Sequence, residues 1–268
     1  MFAAPSGLHP LGATLAELLG AGVDALFAAV DRSLGKPPVA GDAEPLPPVD
    51  YQEVWASGVT YERSRQARVE EAVVKSAYDL VFDAERPELF MKLAGWRVPA
   101  PGAPLRIRGD STWDVPEPEL ALVLTAQGHI AGYLVADDVS SRSIEGENPL
   151  YLAQAKIYDD SLGLSETIVL SRDVGDMVRQ ARIVLTIQRG ADEVFRGETS
   201  TAAMRRRFEE LAGYLFRELS HPYGAVLLTG TGLVPPDEFT LEDGDVVEIA
   251  IEGVGTLRHP VYRGGTSR

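Results

Sequence analysis

The sequence predicts an α+β fold in which antiparallel strands dominate. Three observations carry that expectation. Two amphipathic helices open the chain. Short apolar runs in its second half come in pairs around tight turns. No helices space those runs at the intervals that a parallel, doubly wound sheet requires.

The elements follow in chain order. Thr14 with Glu17 is a capping-box pattern, which satisfies two orphan amides at a helix start. Gly20 and Gly22 divide residues 14–34 into two short helices. The second carries Leu26, Phe27, Val30 and Leu34 on one stripe, and Gly35 stops it. Residues 36–50 hold Pro37, Pro38, Pro45, Pro47 and Pro48 and read as an extended linker. Residues 1–50 are therefore expected to form a helical cap and tether.

Residues 54–59 read as a strand. Residues 61–84 have helical spacing at Val69, Val73, Ala77, Leu80 and Val81, and Pro87 ends the segment. Together they suggest a strand and lid helix over 51–103. A β-rich unit is expected from 104 to 268. Within it, runs 120–125 and 130–135 flank a Gln127-Gly128 turn. Runs 181–188 and 193–197 flank a second turn, Arg189 to Asp192. Residues 201–219 read as one helix with Met204, Phe208, Leu211, Leu215 and Leu219 on its apolar face. Further strands are expected at 225–228, 245–251 and 255–257.

Composition narrows the function. The 268 residues are 45% hydrophobic and 24% charged, an ordinary globular balance. The net charge of −15 argues against nucleic acid and anionic membranes as partners. With no cysteine, thiolate metal sites, iron–sulfur clusters and cysteine nucleophiles are excluded. The four histidines, His9, His129, His221 and His259, lack metal-binding spacing. His129 reads as a surface loop residue and His259 as structural. Arg205, Arg206 and Arg207 read as a helix face. Arg63, Arg65 and Arg68 read as a solvated stripe paired with nearby glutamates. No basic residue precedes Arg32 and no apolar run approaches a membrane span, so a cytoplasmic protein is expected.

The chemistry-bearing pattern is acidic. Glu117 and Glu119 are two apart, and in a strand such residues share a face. A lone pair of this kind also fits a solvated strand edge. Pro116 and Pro118 shift the balance, because they stiffen the chain that presents the two carboxylates. If runs 120–125 and 130–135 form a hairpin, Asp137 and Asp138 return to the same end of the sheet. Three converging carboxylates suit a hard cation such as magnesium, which keeps open positions for substrate oxygens.

These residues belong to an ordered set: Glu117-Pro118-Glu119-Leu120, Gly132-Tyr133, Asp138-Val139-Ser140-Ser141-Arg142, Lys156, Leu228-Thr229-Gly230-Thr231, Leu241 to Asp245, and Gly253 to Leu257. The set resembles the fumarylacetoacetate hydrolase superfamily, over roughly residues 52–261. The resemblance implies a mixed β-roll, barrel-like core. It also implies Mg2+ or Mn2+ on Glu117, Glu119 and Asp138, and a homodimer or homotetramer. A narrower resemblance rests on Gly58 to Arg65, Glu85 to Phe90 and Ser143 to Tyr151. These segments are similar to the branch that dehydrates 2-keto-3-deoxy pentonates, the arabinonate and xylonate dehydratases. That branch implies proton transfer by Glu88 and Lys156, with 2,5-dioxopentanoate as product.

Three residues depart from the branch pattern. Ser143 stands for the usual Asp, Asp137 for Asn, and Ala153 for Pro. None is an expected metal ligand. The carbon–carbon hydrolases of the superfamily often carry a His three residues after a lid-helix Tyr, where this chain has Ser64 after Tyr61.

The chemistry is coherent. A 2-keto acid offers carboxylate and keto oxygens to one cation, which polarises the carbonyl and stabilises an enolate. One of Glu88 and Lys156 then takes a C3 proton and the other assists the leaving C4 hydroxyl, with the order open. Arg142, Ser140 and Thr231 are expected at the substrate. Arg142 is suited to clamp a carboxylate, or alternatively to pair with a neighbouring acid. Thr231 either donates to the substrate or serves a tight turn. Two other readings stay open: a metal-dependent hydrolase, decarboxylase or tautomerase of a diketo or oxalo acid, and a non-catalytic binding protein.

Overall fold

The computed structural model describes residues 1–39, 45–62, 80–172 and 175–265. Its strands are β1 (Phe2–Ala4), β2 (Gly7–His9), β3 (Glu53–Gly58), β4 (Glu88–Ala94), β5 (Leu105–Ile107), β6 (Asp114–Val115), β7 (Pro118–Leu124), β8 (Ile130–Asp138) and β9 (Ser140–Ser141). They continue as β10 (Leu162–Leu164), β11 (Val169–Leu170), β12 (Arg182–Arg189), β13 (Asp192–Ser200), β14 (Ala225–Leu228), β15 (Val246–Ile251) and β16 (Gly255–Arg263). Two sheets hold the protein together. The first runs β10-β8-β7-β14-β3-β4, with β11 on β8, and the second runs β13-β12-β15-β16-β5. Two strand pairs, β14–β3 and β16–β5, are parallel, and the other pairs are antiparallel. The mixed α+β expectation holds.

Alternation in the central strands explains their unbroken apolar runs. Leu120, Leu122 and Leu124 of β7 pack toward the second sheet with Ile183, Leu185, Val247 and Ile249. Ala121 and Val123 point the other way, into a second core with Leu18, Leu19, Leu26 and Ala29. Both faces of β7 are buried, so it needs no polar face.

The helices Leu15–Ala21 and Val23–Leu34 supply that second core. The capping box between Thr14 and Glu17 forms as expected. Gly22, at φ +97, separates the two helices, and Gly35 ends the second. The N-terminal region also contains the β1–β2 hairpin, which the helical-cap expectation missed. Buried His9 anchors it, with Nδ1 near the Ser33 and Lys36 carbonyls.

Three expectations need correction. First, the chain after Pro87 forms β4, which pairs with β3. Second, residues 201–219 are not one helix. A 3-10 turn, Thr201–Ala203, is followed by extended chain, and only Phe208–Leu215 is α-helical. Tertiary bonds outweigh the apolar spacing there. The Arg205 N–H donates to the Thr60 carbonyl, Met204 bridges to Tyr61, and the buried Arg206 guanidinium donates to the Val81, Ala84 and Glu85 carbonyls. Arg205 to Arg207 thus precede the helix and do not form its face. Third, β16 extends to Arg263, because its end pairs with β5. Most of the expected helix over 61–84, with Ser64 and the Arg63, Arg65 and Arg68 stripe, lies outside the described residues. Among the described residues, no helix is long and apolar enough to cross a membrane.

Candidate active site

The β7–β8 hairpin forms in the register that the acidic pattern requires. Pro118 pairs with Asp137 and Glu119 with Ala136. Glu117 sits just before β7, and the Asp138 N–H donates to its carbonyl at 3.0 Å. One ligand oxygen from each of Glu117, Glu119 and Asp138 lies within 4.8 Å of the other two. All three side chains are buried. Such an arrangement costs too much to leave unbalanced. Burial, and then the charges of Asp138 and Glu117, push the Glu119 carboxyl well above the usual carboxylate range, while Lys156 and the Gly230 N–H pull it back. That N–H donates to Glu119 Oε2 at 2.5 Å from a residue at φ +90, which glycine adopts readily.

Lys156 ends the helix Leu152–Lys156 and meets the carboxylates. Its Nζ donates to Glu117 Oε2 at 2.5 Å, Asp138 Oδ2 at 3.0 Å and Ser140 Oγ at 2.6 Å. The Ser140 hydroxyl donates onward to the Asp138 carbonyl at 2.8 Å. Ser140 is therefore fully buried behind the pocket and holds Lys156, a different place from the substrate contact expected of it.

Glu88 opens β4 opposite Gly58. A Cβ on Gly58 would fall 1.9 Å from Glu88 Oε2, so the glycine makes room for the carboxylate. Glu88, Glu117, Glu119, Asp138, Lys156 and Thr231 share the wall of one small pocket, with Glu145 beside them. Thr231 lines the pocket, and its hydroxyl donates to the Leu233 carbonyl at 2.9 Å, which matches the tight-turn alternative. Arg142 lies behind Glu117, with Nε 3.5 Å from Oε1 and the guanidinium over Trp113. Its position matches the ion-pair alternative.

Two residues escaped the sequence reading. Glu145, on the helix Arg142–Glu147, is buried on the pocket wall. Lys92 is fully buried, 2.6 Å from Asp138 Oδ1, and donates to the Val139 and Lys156 carbonyls. Leu93 pairs with Val54 and Met91 with Trp55, leaving Lys92 as the extra residue of a bulge. Bulges re-aim side chains in this way. Burial pushes the Lys92 ammonium below its usual range, and Asp138 opposes that. The available signal was a single charge inside the apolar stretch Leu89-Phe90-Met91-Lys92-Leu93.

The charges can be counted. Among the described residues, five carboxylates (Glu88, Glu117, Glu119, Asp138 and Glu145) and three cations (Lys92, Arg142 and Lys156) meet at this site. Three carboxylates converging in one buried cluster suit a divalent cation. The donor set is all oxygen, which suits Mg2+ or Mn2+.

A family model, "Fumarylacetoacetate (FAA) hydrolase C-terminal", matches residues 54–262. The chain belongs to this family. Within the fumarylacetoacetate hydrolase family, it is 49% identical over 214 residues to a Haloferax volcanii protein named "Probable 2-keto-3-deoxyxylonate dehydratase", covering 80% of this chain and 73% of that one. It is 43% identical over 220 residues to a 2-dehydro-3-deoxy-D-arabinonate dehydratase of Saccharolobus solfataricus, covering 81% and 74%. A solved 2-keto-3-deoxy-D-arabinonate dehydratase, complexed with magnesium and 2,5-dioxopentanoate, superposes with a TM-score of 0.74 at 42% identity, covering 81% of this chain and 75% of that one. The α+β fold of the fumarylacetoacetate hydrolase type expected from the resemblance is the fold observed.

Proposed function

We propose that this protein is a magnesium-dependent dehydratase of 2-keto-3-deoxy pentonates that releases 2,5-dioxopentanoate. The observation that carries the reading is the shared pocket: Glu88 and Lys156, the two expected proton carriers, line the same wall as the three carboxylates. The dehydratase relatives at 43% and 49% identity support it.

The reaction is redox-neutral. A C3 proton and the C4 hydroxyl leave as water, and proton shifts convert the unsaturated acid into the C5 aldehyde. Mg2+ on Glu117, Glu119 and Asp138 would supply Lewis acidity toward the keto and carboxylate oxygens. The remaining work falls to side chains. Lys156 Nζ faces three acceptors, and the Ser140 proton is already committed to Asp138. In this reading Lys156, with its Nζ at those acceptors, is the acid for the leaving hydroxyl. Glu88 is then the base for the C3 proton, aided by its place over the Gly58 backbone. Thr231 and Glu145 complete the pocket wall. Assembly as a homodimer or homotetramer and a cytoplasmic location belong to the same proposal, the first checked by sedimentation and the second by cell fractionation.

The substrate question is simpler than the relatives' names suggest. C2 is a ketone and C3 a methylene, so C4 is the one stereocentre left. Within the D series, xylonate and arabinonate therefore give one and the same acid, and the informative comparison is D against L. The magnesium-loaded protein is incubated with each enantiomer, and 2,5-dioxopentanoate is read through an aldehyde dehydrogenase. Metal-dependent aldehyde from the D acid supports the reading; none from either enantiomer overturns it. The roles separate by C3 deuterium exchange: Lys156→Met keeps exchange and loses dehydration, whereas Glu88→Gln loses both. The reverse pattern exchanges the two roles.

A further inference from the structure

Asp137 is buried in the core next to a metal-site residue, yet the site does not use it. Along β8, Ala136 belongs to the core that holds the N-terminal helices and Asp138 shares its face by alternation, so Asp137 points to the opposite side, toward His259 of the second sheet. There its two oxygens are both engaged. Oδ1 accepts from the Glu117 N–H at 3.0 Å, and Oδ2 lies 2.8 Å from His259 Nε2 on β16. A carboxylate only accepts, so the ring nitrogen is the donor. Both side chains are buried, at 0% and 1% exposure.

The sequence around Glu117 makes this bond matter. In Pro116-Glu117-Pro118, neither proline has an N–H, so Glu117 carries the one amide donor of the three. Asp137 takes that donor, while the Asp138 N–H takes the Glu117 carbonyl. The backbone of the expected ligand is thus gripped at both its polar groups. His259 in turn fixes Asp137 from a strand of the other sheet. This also explains the departure at position 137, where the branch pattern has Asn: a carboxylate with two buried oxygens needs two donors, and the Glu117 amide and the His259 ring provide them.

We propose that Asp137 and His259 are a positioning pair that sets the Glu117 ligand from the far face of the sheet. The inference rests on the reading of Glu117 as a magnesium ligand. Outer partners that orient ligands govern metal affinity in this manner.

The test is titration calorimetry of the full-length protein with magnesium chloride alone, beside melting in the absence of metal. Asp137→Ala should weaken Mg2+ binding by about 10- to 100-fold. Asp137→Asn retains the acceptor for the Glu117 N–H and should stay within about threefold of the parent. Equal Mg2+ affinity in Asp137→Ala and the parent, whatever the melting shift, overturns the inference. So does an Asp137→Asn as weak as Asp137→Ala. If Asp137→Ala does not fold, His259→Ala decides. It removes only the brace and should lower Mg2+ affinity by about fivefold; an unchanged affinity overturns the pair. Pentonate turnover by the parent reports separately on the proposed function: a parent that binds Mg2+ without turning over pentonate sinks that function and leaves the pair to stand or fall on the affinities. A parent that binds no divalent cation overturns both.

Discussion

The two ends of the β7–β8 hairpin are built on opposite principles. At the turn, Thr125 and His129 close the loop through backbone bonds, Gly128 donates to the Thr125 carbonyl, and the Ala126 N–H is tied to the Leu19 carbonyl. His129 is exposed on this loop, the place the sequence suggested for it. At the other end, Glu117, Glu119, Asp137 and Asp138 are all buried. Between them, Leu122 faces Tyr133 and Leu120 faces Val135. Apolar packing on both faces of these strands fixes one register, and a slip by one residue would send every side chain to the wrong face. The carboxylates inherit that register. Unpaired buried charge opposes folding, so the apolar middle of the hairpin is what allows its charged end to exist.

Removing a charge at the functional end should produce the largest effect. Glu119→Ala should abolish detectable Mg2+ binding and lower dehydratase turnover by about a thousandfold or more, since metal polarisation contributes several kcal/mol. Turnover within tenfold of the parent would mean that the buried triad is a structural ion cluster. Lys92→Met comes next. It deletes the cation behind Asp138 while keeping most of the volume, and should weaken Mg2+ binding by about 10- to 100-fold. Tighter binding would show instead that Lys92 competes with the metal for Asp138.

Asp114 probes the border of the charged end through pH. It is buried on β6, 3.7 Å from Arg263, and burial pushes its carboxyl up to about 6. Its folded value lies above the unfolded one, so the native state binds this proton more tightly. The associated stability is present below pH 4 and is lost as pH rises through about 6. Asp114→Asn should therefore match the parent in urea melts near pH 4 and exceed it above pH 7. A variant less stable than the parent at pH 8 would show that the Arg263 pairing outweighs the burial.

The acidic site was legible because its parts are local. Glu117 and Glu119 alternating with Pro116 and Pro118, a Gln-Gly turn and a paired Asp suggested a hairpin from short-range spacing, and the family resemblance supplied the ligand set with Glu88 and Lys156. The capping box at Thr14 was readable for the same reason. Lys92 was not, because a bulge breaks the period of two and the strand that carries it joins the sheet through distant β3. Arg142 was assigned to the pocket by charge, but the turn that starts its helix puts it behind Glu117. The helix expected over 201–219 kept its apolar spacing in sequence. Carbonyls of residues 81, 84 and 85 claimed Arg206, a tertiary demand that local periodicity does not contain.

The smallest effect is expected at the turn, and it isolates the other half of the comparison. Gly128 has φ +77, and a Cβ there would lie 3.1 Å from the Phe216 ring. Gly128→Ala combines a left-handed backbone with a tight contact and should cost about 1 kcal/mol of stability. Denaturant melts measure that loss. Because apolar pairs from Leu120 to Val123 separate the turn from Glu119, turnover and Mg2+ affinity should stay within twofold of the parent, roughly the additivity expected of distant sites. A tenfold loss of Mg2+ affinity in Gly128→Ala would show that the hairpin transmits strain along its length, and that its apolar middle couples the two ends instead of insulating them.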